Sequence, residues 1–197
     1  MTPSIRVSEV GLRDGLQSID RVLDLEIKKN WIKAEAAAGV SEIEVGSFVN
    51  YTILPQMADT AELVRYGCTL PNLTVAVLVP NLHGAKAAVE AGAHKISIPV
   101  SASETHSIKN VNRTHIQMID EVRQIRDYIN DLPKTGRPYF EAGIATAFGC
   151  SIEGNISEET IVKLAEELLD AGAQEIGLSD TAGYANPAQL RRLIRLV

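Results

Sequence analysis

Cysteine is scarce: the 197 residues hold two, Cys68 and Cys150, far apart in sequence, so there is neither a disulfide framework nor a metal-thiolate spacing. Positive charge is also in short supply. The formal net charge is −6, and Lys and Arg are scattered rather than gathered into the basic stripe that a nucleic-acid backbone requires. No apolar run approaches the ~20 residues of a membrane span. Residues 1–10 lack the basic region and apolar core of a secretory leader. These absences argue against nucleic acid and membrane as partners, and unpaired thiols point to a reducing cytoplasm.

What is present is the balance of a globular chain, 45% hydrophobic and 22% charged. Short β-rich runs at 5–10, 42–45, 74–79, 95–100, 139–145 and 175–179 are each followed by a segment of helical period, the first at 24–38. Ile116, Ile119, Val122, Ile125 and Ile129 mark one apolar helix face, and Ile161, Leu164, Ala165, Leu168 and Leu169 another. A weak repeat, Ala38-Gly39-Val40, Ala91-Gly92-Ala93 and Ala171-Gly172-Ala173, places glycine where a helix closes before the next strand. Ser157 before Glu158 and Glu159, and Asn186 before Pro187, carry helix-start signals. Such alternation predicts parallel βα units. An open doubly wound sheet usually carries a phosphate-binding glycine fingerprint after its first strand; that turn here reads Gly11-Leu12-Arg13-Asp14-Gly15 and is charged. The expected fold is therefore an α/β (β/α)8 TIM barrel, incomplete at about its first six βα units, with strands 7 and 8 absent from a single catalytic domain over residues 1–197.

A barrel builds its site from the strand ends and the loops after them. Arg13, Asp14 and Gln17 follow the first strand, Glu44 and Ser47 lie on or after the second, Asn81 and His83 follow the third, and Asp180 and Thr181 follow the sixth. They are expected to converge on one mouth. Arg13-Asp14 is either a surface ion pair or an oxyanion donor beside a hard carboxylate ligand for Mg2+ or Mn2+. Glu44 alternates with Ile43 and Val45, so it is expected to point inward and to need a cation or hydrogen bonds. Asp180 either caps the next turn or acts chemically. Residues 101–113 form a polar stretch expected to be a substrate loop, with His106 a weaker candidate within it. His83, at a helix start, and His94, on the far face, are ordinary positions, and Cys150 has no histidine nearby in sequence to make it a nucleophile.

The segments Val10-Gly11-Leu12-Arg13-Asp14-Gly15-Leu16-Gln17, Ile43-Glu44-Val45-Gly46-Ser47-Phe48-Val49, Pro55-Gln56-Met57-Ala58-Asp59, Phe148-Gly149-Cys150 with Glu153-Gly154, and Leu178-Ser179-Asp180-Thr181 resemble the 3-hydroxy-3-methylglutaryl-CoA lyase family. The resemblance runs through nearly the whole chain. It implies a metal-dependent barrel that cleaves 3-hydroxy-3-methylglutaryl-CoA to acetyl-CoA and acetoacetate, a step of leucine degradation and ketone-body metabolism. By the same resemblance Asp14 is a metal ligand, Arg13 stabilises the enolate, Glu44 and Asp180 are acidic site residues with Asp180 in proton transfer, and Gln17, Ser47 and Thr181 support the substrate. The family's His-any-His ligand pair and mobile cysteine loop have no counterpart in these 197 residues. Leu12, Ser151-Ile152 and Gly177 depart from its usual proline, proline-tyrosine and serine. Those departures bear on the acyl group, leaving a citramalyl-CoA or related lyase as an alternative, and the expected absence of strands 7 and 8 leaves an inactive fragment or binding homologue as another. Unpaired sheet edges point to a homodimer as the assembly to test.

Overall fold

The computed structural model describes residues 5–197. Residues 1–4, which open both the segment read for a leader and the domain read over 1–197, lie outside the described residues. Contacts divide the chain into two units, one running up to Ile96 and taking in Leu132–Tyr139, the other comprising Ser97–Asp131 and Phe140–Val197. Six strands are hydrogen-bonded in sequence order.

The first unit holds β1 (Ser8–Glu9), α1 (Leu25–Ala37), β2 (Glu42–Ser47), α2 (Thr60–Gly67), β3 (Thr74–Leu78), α3 (Leu82–Ala91) and the start of β4 (Lys95–Ser101). β1, β2 and β3 pair in parallel. All six residues of β2 are buried, as expected of a parallel strand covered on both faces. Ile43 and Val45, fully enclosed, each contribute about 2 kcal/mol of burial. The ladder slips between Glu44 and Ser47, at the end of the strand, where irregularities re-aim side chains. β1 is shorter than the 5–10 expected, because only Ser8 and Glu9 find partners on β2 and Ile5 and Val7 stay exposed. Asn81 caps α3 by accepting from the Gly84 amide, and Gly92 closes it at φ 94°.

The second unit holds α4 (Glu104–Val111), α5 (His115–Asp131), β5 (Tyr139–Ala145) beyond its first residue, α6 (Glu158–Ala171), β6 (Glu175–Leu178) and α7 (Pro187–Leu196). β5 and β6 pair in parallel, Gly143 opposite Gly177. The expected caps form: Ser157 accepts from the Thr160 amide, Asn186 from Ala188 and Gln189, and Gly172 ends α6 in the left-handed region.

Three expectations need correction. Residues 101–113 are not a loop throughout, since Ser103 caps a helix there by accepting from the His106 amide. On α5, Ile116 is 73% exposed and Met118 takes its place in the core; six residues from Val122, Ile116 lies about 120° round the helix from that apolar stripe. Leu169, 47% exposed, likewise sits at the margin of the α6 face that Ile161, Leu164, Ala165 and Leu168 bury. No helix among the described residues is long and apolar enough to cross a membrane.

Candidate functional site

The turn after β1 is the best-built feature of the first unit. Gly11–Gly15 forms one π-helical turn, with the Arg13 and Asp14 amides both donating to the Val10 carbonyl. Such turns are rare and often mark functional positions. Glycine is required at its start because a Cβ on Gly11 would lie 2.7 Å from Glu9 Oε1 and 2.9 Å from the Trp31 ring. Leu12, where the family's proline was expected, is buried and anchors the turn to the core.

That anchoring delivers Arg13 to β2. Its Nη2 donates to Glu44 Oε2 at 2.9 Å and its Nη1 to Asp14 Oδ1 at 2.7 Å. The Arg13 and Glu44 side chains are only 18% and 10% exposed. Glu44 is thus the inward carboxylate that the alternation predicted, and a guanidinium meets it. Two carboxylates fix the plane of the guanidinium, while its buried Nε has no hydrogen-bond partner among the described residues. Ser47 Oγ, on the same strand as Glu44, is likewise buried and without a partner. Buried donors of this kind are usually satisfied, so each is suited to a ligand oxygen. Gln17 is exposed just beyond the turn.

A divalent cation finds one suitable ligand here. Asp14, 64% exposed, presents a hard oxygen, but no group of three His, Cys, Asp or Glu among the described residues could hold a metal ion. These residues fit the cation as a single ligand and do not complete its site.

In the second unit Asp180 accepts from the amides of Tyr184 at 2.9 Å and Ala185 at 3.1 Å, so it does cap the turn after β6. Thr181 Oγ1 accepts from the Thr146 amide at 2.9 Å. Thr146, at the end of β5, was not foreseen. It is buried and β-branched at φ 58°, a conformation that costs on the order of 1–3 kcal/mol and persists only where surroundings enforce it. Its hydroxyl lies 3.0 Å from Ser101 Oγ and accepts from the Ser103 amide at 3.2 Å. The ends of β4, β5 and β6 are therefore tied together through one strained residue.

Beside it, the Thr105 amide donates to Glu153 Oε1 at 2.8 Å. Hydrogen bonds from the Thr105 side chain and amide hold the Glu153 carboxyl below its ordinary range against an opposing effect of burial. Burial raises the Cys150 thiol, but hydrogen bonds from Ser103 and the Glu153 and Ile152 backbone outweigh it and leave the thiol lowered. Of the histidines, His83 is exposed on the first turn of α3, and His94 accepts from the Val75 amide as an ordinary structural residue. His106 lies in the first turn of α4 and has a buried Nδ1 without a partner among the described residues.

The HMGL-like family profile matches residues 4–197. Hydroxymethylglutaryl-CoA lyase YngG of Bacillus subtilis is 34% identical over 190 residues, covering 96% of this chain and 62% of that protein. The human cytoplasmic 3-hydroxy-3-methylglutaryl-CoA lyase is 34% identical over 98% of this chain and 51% of its own length. The chain thus spans roughly half to three-fifths of these relatives. An HMG-CoA lyase from Acinetobacter baumannii, solved in complex with coenzyme A and 3-methylmalate, superposes with a TM-score of 0.88 at 35% identity, over 96% of this chain and 60% of that one. The six βα units are those of a TIM barrel, incomplete at this length, as the alternation predicted. Sequence, strand order and superposition agree: this chain belongs to the HMGL-like family.

Proposed function

We propose that this chain carries part of a carbon–carbon lyase that performs retro-Claisen cleavage of 3-hydroxy-3-methylacyl-CoA thioesters, with 3-hydroxy-3-methylglutaryl-CoA as reference substrate, giving acetyl-CoA and acetoacetate. The observation that supports it most is Arg13, a guanidinium fixed between Glu44 and Asp14 with its Nε unused.

The reaction is a problem of charge. A base removes the tertiary hydroxyl proton, the bond between the carbinol carbon and the thioester α-carbon breaks, and its electron pair passes into the thioester enolate. Protonation at the α-carbon then yields acetyl-CoA. Arg13 supplies a permanently charged donor to the enolate oxygen, and because its plane is set in advance little reorganisation is needed as charge arrives. Such a donor is worth about 3–4 kcal/mol at the transition state. Glu44 holds Arg13, Ser47 offers a buried hydroxyl to a substrate oxygen, and Gln17 lines the approach. Asp180, oriented by two backbone amides, is the proposed proton carrier, and Thr181 is its substrate-side neighbour. Asp14 is proposed as one ligand of Mg2+ or Mn2+; a bound cation supplies Lewis acidity toward the hydroxyl. The acyl-CoA substrate, a cytoplasmic location in keeping with two unpaired cysteines, and a homodimer formed through exposed strand edges belong to the same proposal.

Incubating the protein with 3-hydroxy-3-methylglutaryl-CoA and Mg2+ should release acetoacetate. Arg13→Lys, which keeps the charge but loses the two-pronged donor geometry, should lower turnover ~100- to 1,000-fold. Citramalyl-CoA, run alongside, should be the poorer substrate; its preference would change the acyl assignment. Failure to cleave either thioester would refute the lyase reading in favour of an inactive binding homologue.

A further inference from the structure

Asp180 is held by the turn that follows it. Tyr184 donates its amide to Asp180 Oδ1 at 2.9 Å and Ala185 donates its own to Oδ2 at 3.1 Å, so each carboxylate oxygen takes one amide and the backbone at 184–185 sets the plane of the group. The chain reverses at Gly183, with φ 71°. Those two bonds fix the turn to itself. Its place beside the strand ends needs contacts from outside.

The loop after β5 supplies them. Before the turn, Thr181 Oγ1 accepts from the Thr146 amide; beyond it, Gln189 Nε2 donates to the Phe148 carbonyl at 3.3 Å. Between these two ties, Tyr184 sits on Gly149. A Cβ on Gly149 would lie 2.7 Å from Tyr184 Cδ2, 3.3 Å from its Cβ and 3.4 Å from its Cγ. The root of the side chain is therefore in the contact together with the ring, and the root cannot shift without carrying the Tyr184 amide with it. Gly149, at φ 138°, serves this approach both by its backbone conformation and by the space it leaves open. Tyr184 is 53% exposed, so its ring covers the loop without joining the buried core.

We infer that Tyr184 is a positioning residue: seated on the bare backbone of Gly149, it holds in place the two amides that aim the Asp180 carboxylate. The inference rests on the reading of Asp180 as proton carrier and adds the part that fixes its aim. A proton carrier works only within hydrogen-bond reach of the atom it serves, so a small displacement of the turn is felt in the chemical step rather than in substrate affinity. The atoms nearest Gly149 belong to the ring and root of Tyr184, which separates this role from acid–base chemistry by the phenol hydroxyl.

Tyr184→Ala removes the ring and Tyr184→Phe keeps it. Assayed with 3-hydroxy-3-methylglutaryl-CoA and Mg2+, the alanine variant should lose ~10- to 100-fold in kcat with KM within ~3-fold of the parent, and the phenylalanine variant should restore kcat. Hydrogen exchange at the Ala185 amide reads the turn without turnover. It should quicken ~10-fold in Tyr184→Ala, after allowance for the changed neighbour, and return to the parent rate in Tyr184→Phe. Gly149→Ala, which leaves residues 180–185 unaltered, should quicken the same amide by pushing on the root of Tyr184. Unchanged exchange or unchanged kcat in Tyr184→Ala, a loss carried by KM alone, or a phenylalanine variant as impaired as the alanine variant overturns the inference. A parent protein that releases no acetyl-CoA refutes the lyase reading alone, because exchange at Ala185 still decides whether Tyr184 holds the turn.

Discussion

Glu44 is the residue whose removal tests the Arg13 arrangement most directly. At 2.9 Å, with both side chains mostly enclosed, the gross attraction between its carboxylate and the guanidinium is about 6 kcal/mol at an effective dielectric near 20. Much of that is offset by the loss of hydration on burying both ions. Glu44→Gln keeps an oxygen able to accept from Nη2 and should cost about 1 kcal/mol, whereas Glu44→Ala leaves the guanidinium with Asp14 alone and opens a small void, costing about 3 kcal/mol. With a urea slope of about 2 kcal/mol/M, the unfolding midpoints should fall by about 0.5 and 1.5 M respectively. Turnover of 3-hydroxy-3-methylglutaryl-CoA should fall more steeply than stability. Released from Glu44, Arg13 can swing toward exposed Asp14, and a displaced oxyanion donor loses ~100-fold or more. An Ala variant whose midpoint stays within about 0.2 M of the parent and whose turnover is unchanged would show that Glu44 neither holds Arg13 nor matters to its task.

Lys28 is buried on α1, donating from Nζ to the Gln56 carbonyl and Asp59 Oδ1, both at 2.6 Å; Lys28→Met should lower stability by about 2–4 kcal/mol in urea titration, and an unchanged midpoint would contradict the pairing. Thr146→Val keeps the shape but strips the Ser103 amide of an acceptor, so it should cost about 1–3 kcal/mol while Thr146→Ser stays near the parent; equal losses would assign the effect to packing instead. Glu153 has its folded-state value held below the ordinary 4.5, so its contribution is present above 4.5 and is lost as pH falls through the lowered value. Glu153→Gln should therefore flatten the acid limb of stability measured between about pH 6 and 3, and an unchanged limb would show that the Thr105 bonds contribute nothing to stability.

The strands were legible because apolar residues recur at alternate positions, Ile43 and Val45 in one and Phe140, Ala142 and Ile144 in another, between glycine-marked helix ends. Glu44 was legible for the opposite reason: a carboxylate amid such a run must have a partner, and Arg13, 31 residues away, is that partner. Lys28 was not, since a lysine on an amphipathic helix looks like a surface residue until a distant turn, Pro55–Met57, closes over it. Thr146 gave no signal at all, because its left-handed backbone runs against the preference of a β-branched residue and is enforced by contacts to Ser101, Ser103 and Thr181 from other strands. The helix at Glu104–Val111 was legible in principle: Ser103 before Glu104 is a helix-start pattern, outweighed by the polarity of the residues that follow.

Short-range and long-range features of this chain differ in what a motif can reveal. The charge-handling part depends on residues that are present and paired, Arg13 between Glu44 and Asp14, and a local motif can reveal it because the turn that carries the donor is itself a short sequence. Gly143 and Gly177, by contrast, are 34 positions apart and come together only when strand pairing sets them opposite each other. Because Glu44 acts through Arg13 and not through the acyl group, Glu44 variants should lose turnover on every thioester alike, and a loss confined to one thioester would refute that role.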